Sequence, residues 1–325
     1  MTSTQQVFWI DKEKKLSINK IAIPKAKENE VLIKHSVIGI NFIDYEYYKG
    51  IKKMPITPMI PGIEGVGTIL ELGSKVKTFE KNQRVAYATV IGGGYSEWRS
   101  INEKFIVPVP EEISNEAAAS YLAKGMIAHS LLRRTFFVQP EMTVLIHNAT
   151  STVGSLLIKL ATHYEAKIIA TVSNDNSEKL IEEKLKENNR CLAIINYNNS
   201  NWVKEISKKV NVVYDSVGGN ITLESLDCLL EFGLLANYGS TLGDMPNLNL
   251  ELLAKKSLFV TSPRLINYKK NYTELLLSAM EIFELIKSGV LPNKPENIYQ
   301  FNQIPQIMKD IETRKVRGSK IVKFS

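Results

Sequence analysis

The sequence predicts an α/β protein in two parts, a mostly-β region at the N-terminus and a doubly wound parallel sheet after it. Three observations carry this. Short apolar runs of strand character, broken by Gly and Pro, fill the chain up to about residue 120. From residue 142 onward, apolar strand segments alternate with segments of helical period, the pattern of a parallel sheet covered on both faces. The length, 325 residues, suits two domains that each bury a core.

In order, the first part holds candidate strands at 7–10, 31–38, 67–71, 84–88 and 105–109. The segment 54–65 carries Pro55, Pro58 and Pro61 and reads as an extended loop. Ser114, followed by Glu116 and an Ala-rich run to Leu132, reads as a capped helix. Then follow a strand (142–147), a helix (152–164), a strand (167–172) and a helix (177–188). Further apolar strands come at 191–196, 211–217, 233–239 and 257–262, with helical segments between them. After Pro263 the alternation stops. A long amphipathic helix (271–289), a Pro/Asn-rich loop (292–299), a helix (304–312) and a final strand (319–324) follow, and this tail is expected to return to the first domain. The expected division is 1–124, completed by 265–325, and 125–264.

Composition is that of an ordinary globular chain, 44% hydrophobic and 23% charged. The net charge of +7 is spread along the chain, and the basic runs at 12–15 and 204–209 are each interrupted by a glutamate. Such a balance suits an anionic ligand such as a phosphorylated cofactor. Without an accompanying RNA- or DNA-binding motif, it argues against nucleic acid as partner. The N-terminus lacks the basic and apolar stretches of a signal peptide, and no apolar run is long enough to span a bilayer. With only Cys191 and Cys228, the chain has no disulfide framework, so a reducing, cytoplasmic setting is expected.

The segment VLIHNATSTVGSLLIKLA (144–161) has the strand, turn and helix order of a Rossmann dinucleotide loop. It is poor in glycine, with Ala149, Ser151 and Gly154 where the usual spacing has three glycines. Gly154 suits close helix–strand packing. Ser151 either obstructs a pyrophosphate with its Cβ or, with Thr152, donates hydroxyl hydrogen bonds to it. A capped helix that binds no nucleotide is the competing reading of this loop. The tip of the next strand, Ser173–Asn174 with Lys179 beyond, suits a 2′-phosphate and hence NADPH, while Asp175 keeps NADH open. Lys179 also reads as a plain surface residue.

Several segments then occur together and in order: NFIDYEYYKG (41–50), IPGIEGVGTI (60–69), GGYSEW (93–98), AAASYLAKGMIAHSLL (117–132), IINY (194–197), VVYDSVGG (212–219), VTSPRL (260–265) and ETRKVRGSKIV (312–322). Over nearly its whole length the chain resembles the zinc-free medium-chain dehydrogenase/reductases, in the quinone oxidoreductase or zeta-crystallin-like branch. The resemblance implies a GroES-like mostly-β catalytic domain closed by its own C-terminal tail, a Rossmann domain between, NADPH as cofactor, hydride transfer to quinones and a homodimer. Zinc-dependent members use a Cys, a His-Glu pair and a further Cys, with a four-Cys lobe for structural zinc. Here those positions read Asn41 and Ile63-Glu64, two cysteines cannot form the lobe, and His35, His129, His147 and His163 lack ligand spacing, so no metal is expected.

The resemblance also assigns roles. Asn41 and Asp44 stand beside the nicotinamide, where hydrogen bonds must stabilise the developing oxyanion. The same two residues also read as a helix N-cap and its capping partner. The family commonly has Thr-Tyr after that Asp, whereas this chain has Tyr45-Glu46-Tyr47. Tyr47 is taken as the third catalytic candidate, with Tyr45 as the other hydroxyl and Glu46 as a possible influence on substrate charge. Ile127 stands where many relatives have Thr. Expected cofactor contacts are Asn41, Lys124, Ser151, Thr152, Val153, Gly154, Ser173, Lys179, Tyr197, Ser216, Tyr238, Gly239 and Arg317. Arg317 reads equally as a surface residue, and Lys124 as a donor or a salt-bridge partner. Cys191 and Cys228 read as packing residues. Three functions follow: an NADPH:quinone oxidoreductase, an NADPH-dependent enal or enone double-bond reductase, and a non-catalytic NADPH-binding or RNA-binding protein.

Overall fold

The computed structural model describes residues 3–89, 91–206 and 209–324. The chain divides into two compact units, one formed by 1–123 with 269–325 and the other by 124–268.

The first unit begins with an antiparallel pair, β1 (Thr4–Ile10) and β2 (Leu16–Ala22). Then come β3 (Glu30–Gly39), α1 (Phe42–Lys49), β4 (Glu64–Leu72), β5 (Arg84–Ala88), β6 (Trp98–Asn102) and β7 (Ile106–Pro108). The Pro-rich stretch before β4 is extended loop, as three prolines require. Next, α2 (Asn115–Ser130) is capped by Ser114, whose Oγ accepts from the Ala117 N–H at 3.0 Å, and it continues as a π-helical turn over Leu131–Thr135. The chain passes from the first unit to the second within α2.

The second unit alternates strand and helix: β8 (Thr143–Ile146), α3 (Thr152–His163), β9 (Lys167–Val172), α4 (Asp175–Leu185), β10 (Cys191–Asn196), α5 (Trp202–Glu205), β11 (Val210–Asp215), α6 (Gly219–Glu224), β12 (Leu229–Asn237), α7 (Leu250–Ala254) and β13 (Phe259–Thr261). Its sheet is parallel throughout, in the order β10-β9-β8-β11-β12-β13. Counted from β8, that is 3-2-1-4-5-6, the doubly wound dinucleotide-binding order with its switch point between β8 and β11. Central strands buried on both faces explain their unbroken apolar sequences. Val144, Leu145 and Ile146 on β8, and Val212, Val213 and Tyr214 on β11, are all fully buried.

The tail returns to the first unit as α8 (Tyr272–Lys287), β14 (Asn297–Gln300), α9 (Ile304–Glu312) and β15 (Lys320–Lys323). There β15 pairs antiparallel with β3, and the sheet order is β14-β15-β3-β4-β5-β7, with β6 also on β3. Ile304, Ile307, Met308 and Val322 pack into one core with Phe8, Ile38 and Tyr95. Each such fully buried aliphatic side chain contributes about 2 kcal/mol of transfer free energy, so the tail is a structural part of this unit.

The expected architecture, a mostly-β unit and a doubly wound parallel sheet, is the observed one. Several boundaries differ. The expected helix 177–188 starts two residues earlier, because Asn174 caps it by accepting from the Ser177 N–H at 2.9 Å, and ends at Leu185. The loop expected over 292–299 contains the start of β14, an edge strand held by backbone pairing with β15. Strands β2 and β6 gave no sequence signal, since β2 in particular is half-exposed and rich in polar residues.

Candidate active site

The parallel order of the second unit brings the C-terminal ends of β8 to β12 to one edge, where open α/β sheets bind ligands. After β8 the chain turns through Asn148, at φ 55°, and enters α3 through Ser151. The Ser151 Oγ accepts from the Gly154 N–H at 3.0 Å, so its hydroxyl acts as helix cap and keeps its own hydrogen for a ligand. A Cβ at position 154 would collide with the Asn148 carbonyl and the Ser151 hydroxyl, which explains why this one glycine of the motif is retained. The Thr152 and Val153 N–H groups open the first turn of α3, where a helix has no acceptors of its own and favours an anion.

At the end of β11, Asp215 is fully buried and gathers four donors. These are the N–H groups of Val217 (2.7 Å) and Gly218 (3.2 Å), the Thr222 hydroxyl (2.5 Å) and the Asn237 amide (2.8 Å). This carboxylate fixes the turn that carries Ser216 and links it to the end of β12, where Tyr238 and Gly239 follow. Gly239 is packed against Ser216, with its virtual Cβ 3.2 Å from the Ser216 carbonyl oxygen. The Ser216 Oγ and the Tyr238 hydroxyl are buried beside each other, with no hydrogen bond to any other described residue. Burial holds the Tyr238 hydroxyl above its usual value, so it stays a neutral donor. A buried pair of neighbouring hydroxyls, a capped helix N-terminus and a close-packed Gly154 form a donor set that fits a dinucleotide.

At the neighbouring tips, Asn196 and Asn198 flank the buried Tyr197 and reach across to Asp175 and Ser173. Lys179 is exposed on α4, and Lys124 is buried at the first residue of this unit. His147 lies fully buried between Thr171 (2.7 Å) and Ser225 (2.8 Å), and burial lowers its pKa, so it is a neutral brace across β8 and β9.

In the first unit, Asn41 caps α1. Asp44, fully buried, accepts from the Asn41 N–H at 2.9 Å and from the Gly62 N–H at 3.0 Å. Burial raises its pKa to about 6 against the lowering effect of those bonds. The Asn41 side chain donates through Nδ2 to the Glu64 carboxylate at 2.8 Å, which leaves its second N–H for another partner. Gly62 sits at φ 92°, and a Cβ there would meet Gly94 at 2.7 Å, so this donor position requires glycine. Tyr47 is half-buried. Tyr45 packs on Phe42 and on the Phe8 core, and Glu46 is buried in an ion pair with Lys52 at 2.9 Å. The Glu46 charge is therefore balanced inside the protein. Arg317 lies exposed in the tail, its carbonyl held by Asn297 at 2.7 Å.

Sequence reasoning did not find Glu64 as the partner of Asn41, nor Asp215 as an anchor. It also missed a buried chain in which His35 joins the Ser96 carbonyl (2.7 Å) and the Tyr87 hydroxyl (2.8 Å), with Arg99 4.3 Å over the Tyr87 ring. The VVYDSVGG segment was the available signal for Asp215, and the Glu retained from the zinc-type pair was the signal for Glu64. Among the described residues, no three His, Cys, Asp or Glu side chains are grouped to hold a metal ion.

Residues 27–111 match the Alcohol dehydrogenase GroES-like domain family, and residues 152–281 match the Zinc-binding dehydrogenase family. The chain is 35% identical over 303 residues to Quinone oxidoreductase 1 of Escherichia coli K12, covering 91% of each. It is 31% identical over 304 residues to a 2-haloacrylate reductase of a Burkholderia species, covering 89% of each. The solved structure of Escherichia coli quinone oxidoreductase complexed with NADPH matches with a TM-score of 0.90 at 32% identity, over 99% of this chain and 100% of that one.

Proposed function

The chain belongs to the quinone oxidoreductase branch of the medium-chain dehydrogenase/reductases, and from that premise we propose that it is an NADPH:quinone oxidoreductase. The observation that carries this reading is its likeness, over nearly the whole of both chains, to the NADPH-complexed Escherichia coli enzyme. Bound NADPH supplies a hydride from its nicotinamide ring. The protein's part is to hold the cofactor and to stabilise negative charge on the acceptor oxygen. Ser151, Thr152, Val153 and Gly154 take the pyrophosphate at the start of α3. Ser173, Lys179 and Tyr197 take the adenosine end, and Ser216, Tyr238 and Gly239 line the edge between. Lys124 and Arg317 complete the proposed cofactor set. Asn41 meets cofactor or substrate with the amide N–H that Glu64 leaves over, Tyr47 supplies a hydroxyl, and Asp44 fixes the Asn41 backbone.

The likeness to a 2-haloacrylate reductase favours a second acceptor, an activated C=C bond. The two readings separate in one experiment. NADPH oxidation is followed with small para-quinones and, in parallel, with enones and 2-haloacrylates, and the acceptors are compared by kcat/KM. Quinones are expected to lead. A folded protein that binds NADPH but reduces no quinone overturns the proposal. Among the described residues no helix is long and apolar enough to cross a membrane. The free thiols of Cys191 and Cys228 fit the proposed cytoplasmic setting. A homodimer is proposed as the working form.

A further inference from the structure

Rossmann sites read the adenosine ribose at the tip of the second strand, where an acid accepts the ribose hydroxyls and disfavours a 2′-phosphate. Here that strand is β9, and its tip runs Ser173, Asn174, Asp175. The Asn174 side chain is occupied in capping α4. Asp175 is exposed and is the one carboxylate of the tip, 21 residues beyond Gly154. Its carboxylate is not independent of the neighbouring strand. The Asn196 Nδ2, at the end of β10, donates to the Asp175 Oδ1 at 2.9 Å. Asn196 is only 4% exposed, and its own Oδ1 accepts the Asn198 N–H at 3.1 Å, so the face of the amide that donates is fixed. The Asn198 Nδ2 adds a second bridge to the Ser173 carbonyl at 2.6 Å. Two asparagines thus tie the β9 tip to the β10 tip on either side of Tyr197.

The surroundings add negative charge. Glu178, one turn into α4, is held above the usual carboxylate range by burial and then by Glu182, Asp175 and Glu205. Lys179 is the cation of the same turn, exposed four residues beyond Asp175.

We propose that Asp175 is a coenzyme-selectivity residue that counts against a 2′-phosphate, and that the Asn196 hydrogen bond moderates that effect. The inference rests on the reading of this edge as an NADPH site. It sets the enzyme's preference for NADPH over NADH below what Lys179 alone would give, and it makes that preference adjustable from either end of one hydrogen bond.

The two ends give opposite signs. Asp175→Asn keeps an acceptor for Asn196 and removes the charge. Asn196→Ala keeps the charge and releases it. Equilibrium titrations of parent and variants with NADPH and with NADH, read by nicotinamide fluorescence, give the ratio of dissociation constants without any acceptor present. Asp175→Asn is expected to shift the ratio toward NADPH by about three- to tenfold, and Asn196→Ala to shift it toward NADH by a similar factor. A ratio unchanged, or moved toward NADH, in Asp175→Asn overturns the inference. Because Asp175 is exposed, that variant carries the test even where the buried Asn196→Ala fails to fold. Parent protein that reduces quinone with an unresponsive ratio sinks the inference and leaves the proposed function standing. A responsive ratio without quinone turnover does the reverse.

Discussion

Two buried ionisable residues of the first unit pull stability in opposite directions over the same pH range. Asp44 has its pKa raised by burial from 3.8 to about 6. The folded protein therefore binds this proton more readily than the unfolded chain, and the stability it adds is present below pH 4 and lost as pH rises through 6. His35 has its pKa lowered by burial from 6.5 to about 4. Its stability contribution is present above pH 6.5 and lost as pH falls through 4. Each shift corresponds to about 3 kcal/mol, so the two slopes nearly cancel between pH 4 and 6. Removing one exposes the other. In denaturant unfolding measured across this range, Asp44→Asn should gain stability steadily as pH rises, and His35→Gln should lose it. Parallel pH profiles for parent and both variants would refute the opposition. The Asn41–Asp44 contact was readable from sequence because it spans three residues within one helix turn. The bond from Asn41 to Glu64 and the bond from His35 to Tyr87 span 23 and 52 residues. Those are set by the registers of β3 with β4 and β4 with β5, which no local pattern encodes.

At the scale of elements, α3 shows how a motif poor in glycine still makes a competent helix entry. The Ser151 hydroxyl replaces one missing partner of the N-terminal N–H groups by accepting from Gly154. Ser151→Ala should cost about 1 kcal/mol of stability and Ser151→Gly only a few tenths, since glycine is itself a tolerated cap. Ser151→Ala should also weaken NADPH binding, because it removes the hydroxyl hydrogen left for phosphate. Unchanged binding would mean that Ser151 does not meet the phosphate, whereas tighter binding in Ser151→Gly would mean that its Cβ obstructs the site. Chemical denaturation and cofactor titration on the same samples separate the two effects. Elements were legible where a strand is buried on both faces or a helix has one apolar stripe, as in β8, β9 and α8. They were not legible in β2, whose residues alternate between half-buried and exposed, or in β14, an edge strand. There the backbone partner, and not the side chains, decides the conformation.

For the whole molecule, the parallel sheet leaves a question at its β13 end. This last strand is three residues long, and among the described residues its one strand neighbour is β12. Its Phe259 is 57% exposed, and Phe232 and Leu250 in the same unit are 66% and 74% exposed. An edge strand with unpaired backbone groups and a large apolar side chain is a liability for a lone subunit and a ready interface for a second copy. A twofold axis beside β13 would set the strand against its own copy, satisfy both edges with the same residues and close the assembly at two subunits. This edge is where the proposed homodimer is expected to form. The loop 240–249 and α7, which precede β13, would flank it. Phe259→Lys places a charge in that contact while leaving the strand's backbone intact. It should convert a dimer of parent protein to monomer at micromolar concentration by sedimentation velocity, with NADPH titration confirming that the unit still folds. A parent that sediments as monomer, or a variant that stays dimeric, would remove β13 from the interface.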